Sequence, residues 1–238
     1  MGSIGSPAAL PTVDKLITVT ALKLAIDRPF FRVRVPAAVA GLLGRRPNFR
    51  QGLRSLCDLE SNMSPTAPAT ANVLIDCSNS AYGTAEVAIT GCTIQHNNPS
   101  PNSANIRILG GSTPSRGNNN VQEGNVAITG NVLSDVQINV HLRDCRDVTI
   151  SGNTFWQGYR HNLLVERCSS VVMGTNNFDR NPRYSYDNTS KANNSLVFRD
   201  SENCIISGAH ITNVWRDSAG LLIENCRRMN ITGCTILD

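Results

Sequence analysis

A short phrase recurs along most of this 238-residue chain, and it constrains the fold more than any single motif. The phrase is an apolar-x-apolar run followed by a Gly-containing turn and a further apolar residue. Copies begin at Val87, Val126, Val148, Val171, Cys204 and Met229. The short steps between copies are 22 to 25 residues, and we interpret the two longer steps as the same unit with an insertion. A repeated unit of this length predicts an architecture in which each unit packs against its neighbours.

Apolar and polar residues alternate within each unit, which indicates half-buried strands rather than helices. Val148 and Ile150 form one alternating pair, Phe155 follows a turn, and Val140 and Leu142 form an earlier run. The chain is therefore predicted to be all-β: a right-handed parallel β-helix (β-solenoid) of about six coils, with three short strands per coil. Equivalent residues should stack in interior columns about 4.8 Å apart.

Asparagine and cysteine occupy repeated positions, which favours structural roles for them. Asn131, Asn153 and Asn176 each follow the second strand, where we expect a turn and amide bonds from coil to coil. Four of the eight Cys fall just after the first strand of their coils: Cys77, Cys145, Cys168 and Cys226. This pattern favours buried free thiols over disulfides or zinc, although stacked neighbours such as Cys145 and Cys168 could reach disulfide distance.

The repeat, with Val-x-Ile, then Thr or Ser, then Gly, then Asn or Cys, resembles the right-handed parallel β-helix repeat of the pectate-lyase-like (pectin lyase fold) superfamily. The resemblance covers about residues 71 to 238. It implies a polysaccharide lyase or glycoside hydrolase, with Ca²⁺ in the lyases, in a secreted or cell-surface protein. The catalytic motifs of those families do not occur here, since the chain has no Asp-Asp pair. Whether the chain is an enzyme stays open, and its own residues predict no metal and no cofactor.

The chain divides at about residue 70. Residues 1–70 lack the repeat and are interpreted as an irregular or partly helical N-terminal extension: a cap, a linker or a non-native segment. Residues 71–238 form the predicted β-helix domain, and because Asp238 directly follows a repeat we expect a truncated C-terminus or end-to-end pairing with another copy. No convincing signal peptide or membrane span is found, so the compartment stays open.

Charge argues against one class of partner. The chain carries 22 basic and 18 acidic residues, and the excess of positive charge lies in residues 1–70. The repeat body is nearly neutral, so nucleic acid is not predicted as a partner.

A binding groove is predicted beside the first-strand face, walled by loops after Phe155, Phe178 and Ile211. Aromatic rings and guanidinium groups in these loops suit an acidic sugar, because rings stack on sugars and guanidinium binds carboxylate. The substrate-binding candidates are Trp156, Tyr159, Arg183, Tyr184, Trp215 and Arg216. The catalytic candidates are Arg160, His161, Glu166 and Asp217.

Charges of alternating sign follow the outward face of the first strands. Arg143, Glu166, Arg199 and Glu224 are equivalent positions in consecutive coils, and His141 lies on the same face. Stacked side chains of opposite charge predict a ladder of ion pairs, whose first members could also serve as a ligand subsite.

The sequence therefore predicts a carbohydrate-active β-helix that acts on or binds acidic polysaccharide or oligosaccharide. Two alternatives remain: a non-catalytic glycan-binding module in the same groove, and a structural β-solenoid without a small ligand.

Overall fold

A computed structural model of the chain describes residues 57–60, 71–78, 85–111, 123–179, 191–212 and 220–237. The predictions made for residues 1–56 and 61–70, and for the loop residues Arg183, Tyr184, Trp215, Arg216 and Asp217, lie outside these residues.

The strands of the described residues are parallel, and they form one six-stranded and one eleven-stranded sheet. The six-stranded sheet is the second-strand stack: β3 (Ala85–Thr90), β6 (Gly124–Thr129), β8 (Arg146–Ser151), β10 (Ser169–Met173), β13 (Ile205–Ser207) and β16 (Asn230–Thr232).

The eleven-stranded sheet contains two stacks. The third-strand stack consists of β1 (Cys57–Glu60), β4 (Cys92–Gln95), the start of β7 (Val132–Arg143), the start of β9 (Thr154–Glu166), β11 (Asn177–Phe178), β14 (His210–Ile211) and β17 (Thr235–Ile236). The first-strand stack consists of β2 (Ala71–Asp76), β5 (Ala104–Leu109), the ends of β7 and β9, β12 (Ser195–Arg199) and β15 (Leu221–Glu224).

This arrangement confirms the parallel β-helix and its register. Val87 pairs with Val126, Val126 with Val148, and Val148 with Val171, although the steps between them differ in length. The extra residues of the long steps therefore lie outside the strands. β1 pairs with β4, so the third-strand stack includes a strand that precedes residue 71.

Interior columns of apolar side chains hold the coils together. Ile128, Ile150, Met173 and Ile206 are stacked and fully buried. Phe155 and Phe178 stack in the next column, with ring centroids 4.6 Å apart and an interplanar angle of 13°. Burial of such side chains is the main favourable term in folding.

Asparagine ladders satisfy the buried backbone at two corners. In the predicted ladder, Asn131 Nδ2 donates to Asn153 Oδ1, and Asn153 Nδ2 donates to Asn176 Oδ1, both at 3.0 Å. Each Nδ2 also reaches a strand carbonyl, as in the 2.9 Å bond from Asn153 to Ile128 O. Gly152, which precedes Asn153, has a φ of 67°, which a Cβ would oppose.

A second ladder was not predicted. It runs through four buried side chains just before the first-strand hydrophobic residues, with Nδ2–Oδ1 distances of 2.7 to 2.8 Å: Asn72, Asn105, Asn139 and Asn162.

Of the four thiols predicted to be buried at the corner after the first strand, Cys77, Cys145 and Cys168 are buried and Cys226 is half-buried, and none of them is in a disulfide. Cys145 and Cys168 are buried, and each Sγ lies 3.2 to 3.3 Å from the carbonyl oxygen two residues earlier. Ser201 Oγ makes the equivalent contact at 2.8 Å and so occupies the same corner as the thiols. Burial is the main cause that raises the pKa of Cys77 to about 12 and that of Cys204 to about 11.

The segment after Phe155 is not the predicted loop. Trp156, Tyr159, Arg160 and His161 lie within the continuous strand β9. The pairing between β7 and β9 shifts register between Val136 and Ile138, so a bulge rather than a loop joins the third strand to the next first strand.

Candidate functional site

The charge ladder on the first-strand face forms for three of its four predicted members. The strands place Arg143, Glu166, Arg199 and Glu224 in register on consecutive coils. Arg199 Nε lies 2.6 Å from Glu224 Oε2, and Arg199 Nη1 lies 3.3 Å from Glu166 Oε1. These are partly exposed pairs, which typically contribute about 0.2–1 kcal/mol each.

Arg143 does not join this ladder. Glu166 Oε2 instead lies 3.1 Å from His141 Nε2, so both oxygens of this carboxylate have other partners. Among the described residues, Arg143 makes one ion pair, in which Nε lies 3.8 Å from Asp144 Oδ2. That Nε atom is buried and has no hydrogen-bond partner. Its one counterion among the described residues, Asp144, also pairs with Arg167 at 2.8 Å. Arg143 therefore shares a counterion that lies nearer to another cation.

A second guanidinium group lies one coil away. Arg107 is 6% exposed, and its Nε donates to His141 Nδ1 at 3.1 Å, while Nη2 donates to the Asn102 carbonyl at 2.6 Å. Burial, and then the charge of Arg143, lower the pKa of Arg107.

His141 is held as a neutral ring by these contacts. Its Nδ1 accepts a hydrogen bond from Arg107, so the ring proton resides on Nε2 and points to Glu166. Burial is the largest cause that lowers the pKa of His141, which favours the uncharged form.

Arg160 is the third cation of the site. It lies on β9, two coils from Asn102, and its Nη1 donates to Asn102 Oδ1. Asn102 has a φ of 52°, a left-handed conformation that asparagine tolerates well. One residue therefore bonds two of the three guanidinium groups, through its carbonyl and its side chain.

These cations border an open groove of about 380 Å³, which we call the first-strand groove. Its other polar residues are Asp76 and Asn102, together with His141. Its floor is aliphatic and is formed by Leu74, Leu109, Ile138 and Leu164. Guanidinium groups above an apolar floor suit a ligand that combines an anionic group with C–H surface.

The predicted site residues that the structure describes do not all meet at this groove. Arg160 lines the groove. Glu166 does not line it but lies within hydrogen-bond distance of His141, which does. Trp156 and Tyr159 are half-buried on β9 and are not among the lining residues. His161 Nδ1 lies 2.7 Å from Ser195 Oγ, which also donates to the carbonyl of Arg160.

Sequence reasoning missed two contributors, Asn102 and Arg107. Arg107 pairs in register with His141, which had been placed on this face. Alignment of Arg107 with His141 in the sequence could therefore have identified it. The residues between β4 and β5 obscured that alignment.

Potential metal ligands are dispersed in the described coils. All four histidines of the chain are described, and three have separate partners: His96 with Asp135, His141 with Glu166, and His161 with Ser195. The fourth, His210, lies on β14. Within the described residues, no group of three or more His, Cys, Asp or Glu side chains is positioned to hold a metal ion.

In the part of the chain that the structure describes, no helix is long and apolar enough to cross a membrane.

In a comparison with known families, residues 78–238 match the family described as "Periplasmic copper-binding protein (NosD)". No curated protein and no solved structure matched the chain significantly. The match spans more than half of the chain and the described coils from β3 onward, while the resemblance to the pectate-lyase-like superfamily stays a prediction. With this repeat, this parallel β-helix and this match, the chain belongs to the NosD family.

Proposed function

We propose that this protein binds an acidic polysaccharide or oligosaccharide in the first-strand groove, without catalysing a reaction on it. The observation that carries the proposal is Arg143, a partly buried cation outside the charge ladder. Its ion pair with Asp144 is long, at 3.8 Å, and Asp144 is shared with Arg167, so Arg143 lacks a counterion of its own among the described residues. A uronate carboxylate of the ligand supplies that counterion.

Guanidinium chemistry supports this choice of ligand. Arginine presents planar donors that match the two oxygens of a carboxylate, and charged hydrogen bonds contribute about 1.5–3 kcal/mol. Arg107 and Arg160 are held by Asn102, so two of the three cations of the groove are already oriented before the ligand arrives. Orientation in advance reduces the entropy that binding costs.

The floor of the groove supports a sugar as the body of the ligand. A pyranose ring has faces rich in C–H bonds, and Leu74, Leu109 and Leu164 offer an aliphatic surface for one such face. The opposite, hydroxyl-bearing edges remain available to solvent and to Asn102.

The contacts of the titratable groups favour binding over catalysis. His141 uses both ring nitrogens, and Glu166 uses both oxygens, in bonds to protein groups. Asp76 Oδ1 accepts from the Ser78 backbone and hydroxyl. Glycoside hydrolysis needs two carboxyl groups flanking the bond, and Asp76 is the one carboxylate that lines the described groove.

The family description also bears on location and on metal. Since the family is described as periplasmic, we infer that this chain meets its ligand outside the cytoplasm. The described residues do not suit copper, because the histidines lie apart. Burial also raises the pKa of the Cys168 and Cys204 thiols, which disfavours the thiolate that would bind the metal.

Binding of oligogalacturonate tests the proposal, measured by isothermal titration calorimetry against a fully methyl-esterified oligomer of the same length. We expect the acid form to bind and the ester to bind at least tenfold more weakly, because the ester has no charge to pair with Arg143. Affinity should fall as salt rises.

The matched variants are Arg143→Gln and Arg146→Gln, which remove the same charge at two places. Arg146 lies on β8 and pairs with Asp147, away from the first-strand groove. We expect Arg143→Gln to weaken binding of the acid form about tenfold or more, and Arg146→Gln to leave it unchanged. Equal binding of acid and ester, or a loss that is equal in both variants, would contradict the proposal.

Metal removal gives a further prediction. Because three guanidinium groups face one carboxylate in the groove, a divalent cation would be repelled there. We expect affinity for oligogalacturonate to be unchanged after the protein is dialysed against EDTA. A loss of binding on chelation that the metal restores would show a metal-dependent site instead.

A further inference from the structure

We propose that His141 is a positioning residue that holds Glu166 away from Arg143 and so keeps this arginine available to the ligand. The inference rests on the proposed function, and it concerns why Arg143 of the same groove does not pair with Glu166 in the charge ladder.

Register alone would pair Arg143 with Glu166. The two residues are Cα partners on β7 and β9, which lie one strand spacing apart, about 4.8 Å. The next two steps of the column do form ion pairs, from Glu166 to Arg199 and from Arg199 to Glu224. The first step is therefore the exception.

The hydrogen bonds of Glu166 explain the exception. Its Oε1 accepts from Arg199 Nη1 at 3.3 Å, and its Oε2 accepts from His141 Nε2 at 3.1 Å. These two bonds direct the carboxylate toward Arg199 and His141, and no ion pair between Glu166 and Arg143 forms in the structure.

The orientation of His141 is set from its other side. Arg107 Nε donates to Nδ1, which assigns the proton to Nε2, and the Asn102 carbonyl holds Arg107 in turn. Arg107 and His141 are 6% and 9% exposed, so water has little access to either. A continuous set of bonds thus links the loop at Asn102 to the carboxylate of Glu166.

Packing does not require a histidine at this position. In the same column, the following coils carry Leu164, Val197 and Leu222. An aliphatic side chain therefore fits this register, and the histidine is explained by its two hydrogen bonds.

The test uses three variants and the oligogalacturonate titration. In His141→Leu, Glu166 loses its donor and turns to Arg143, and we expect affinity to fall about as far as in Arg143→Gln. His141→Leu combined with Glu166→Gln removes the competing carboxylate and should restore most of the affinity. His141→Gln, whose amide can both accept and donate, should bind nearly as the wild type does.

A ligand-independent measurement accompanies the titration: the ¹⁵N NMR resonance of Arg143 Nε. We expect it to shift in His141→Leu, as an ion pair with Glu166 forms, and to return in the double variant. Circular dichroism checks that each variant is folded.

The outcomes separate the two proposals. If the wild type binds no acidic oligomer but the Arg143 resonance behaves as expected, the proposed function fails and the role of His141 stands. If His141→Leu binds like the wild type, or if the double variant stays as weak as the single one, the role of His141 is overturned.

Discussion

Asn153→Ala is expected to lower the free energy of unfolding by about 4 kcal/mol, because it leaves buried polar groups in two neighbouring coils without hydrogen-bond partners. The side chain is 1% exposed and accepts from the backbone N–H and the amide of Asn131 at 2.9 and 3.0 Å. It donates to Ile128 O and to Asn176 Oδ1. Alanine leaves the Asn131 N–H and the Ile128 carbonyl buried without these partners, and each such group costs about 1–3 kcal/mol.

Urea denaturation followed by circular dichroism measures the change. Asn177→Ala is the control, since Asn177 lies one residue beyond the ladder and its side chain is exposed. We expect the control to change stability by less than about 0.5 kcal/mol. A loss below about 1 kcal/mol in Asn153→Ala would mean that water or rearrangement satisfies the stranded groups.

Phe155→Ala is expected to cost about 3–5 kcal/mol, as truncations of buried Phe do. Phe155 is fully buried and stacks on Phe178 of the next coil, so the cavity opens between two coils and removes a ring contact as well. Phe155→Leu keeps most of the volume and should cost less, because Leu133 already occupies this column one coil earlier.

Thermal and urea unfolding of both variants check this ordering. Equal losses for alanine and leucine would indicate that ring stacking, rather than filled volume, dominates the column. Because Phe155 faces the interior, the variants that remain folded should bind oligogalacturonate as the wild type does.

The repeat made most of the fold predictable. Alternation in Val148 and Ile150, and the turn at Gly152, indicate strands and corners from local sequence alone, and recurrence of the same phrase then identifies the residues that stack in register. The buried corner position of Cys77, Cys145 and Cys168 followed from the same register. The second asparagine ladder escaped because Asn72, Asn105, Asn139 and Asn162 precede the repeated phrase at steps that insertions make unequal.

The candidate site was predictable only in part. The first-strand face and the charge ladder were predicted from sequence, because both depend on register within adjacent coils. Arg160 was named as a catalytic candidate in a loop, whereas the structure places it on β9 at the groove, and its role stays a prediction. The omission of Arg143 from the ladder was not predictable, since it depends on which nitrogen of His141 carries a proton. The expected wall at Trp156 was wrong as a loop, because a bulge keeps that segment within β9.

The corner between the first and second strands has a consequence for how such proteins diversify. Two residues join Arg143 of β7 to Arg146 of β8, whereas fourteen separate Leu109 of β5 from Gly124 of β6, yet both coils keep the same pairing. The number of residues that connect the two strands at this corner therefore does not affect how the coils pair. Loops can be inserted or exchanged there without changes in the core. Substitution of the loop at the corner beside Arg143 is therefore a way to change which ligand the groove prefers.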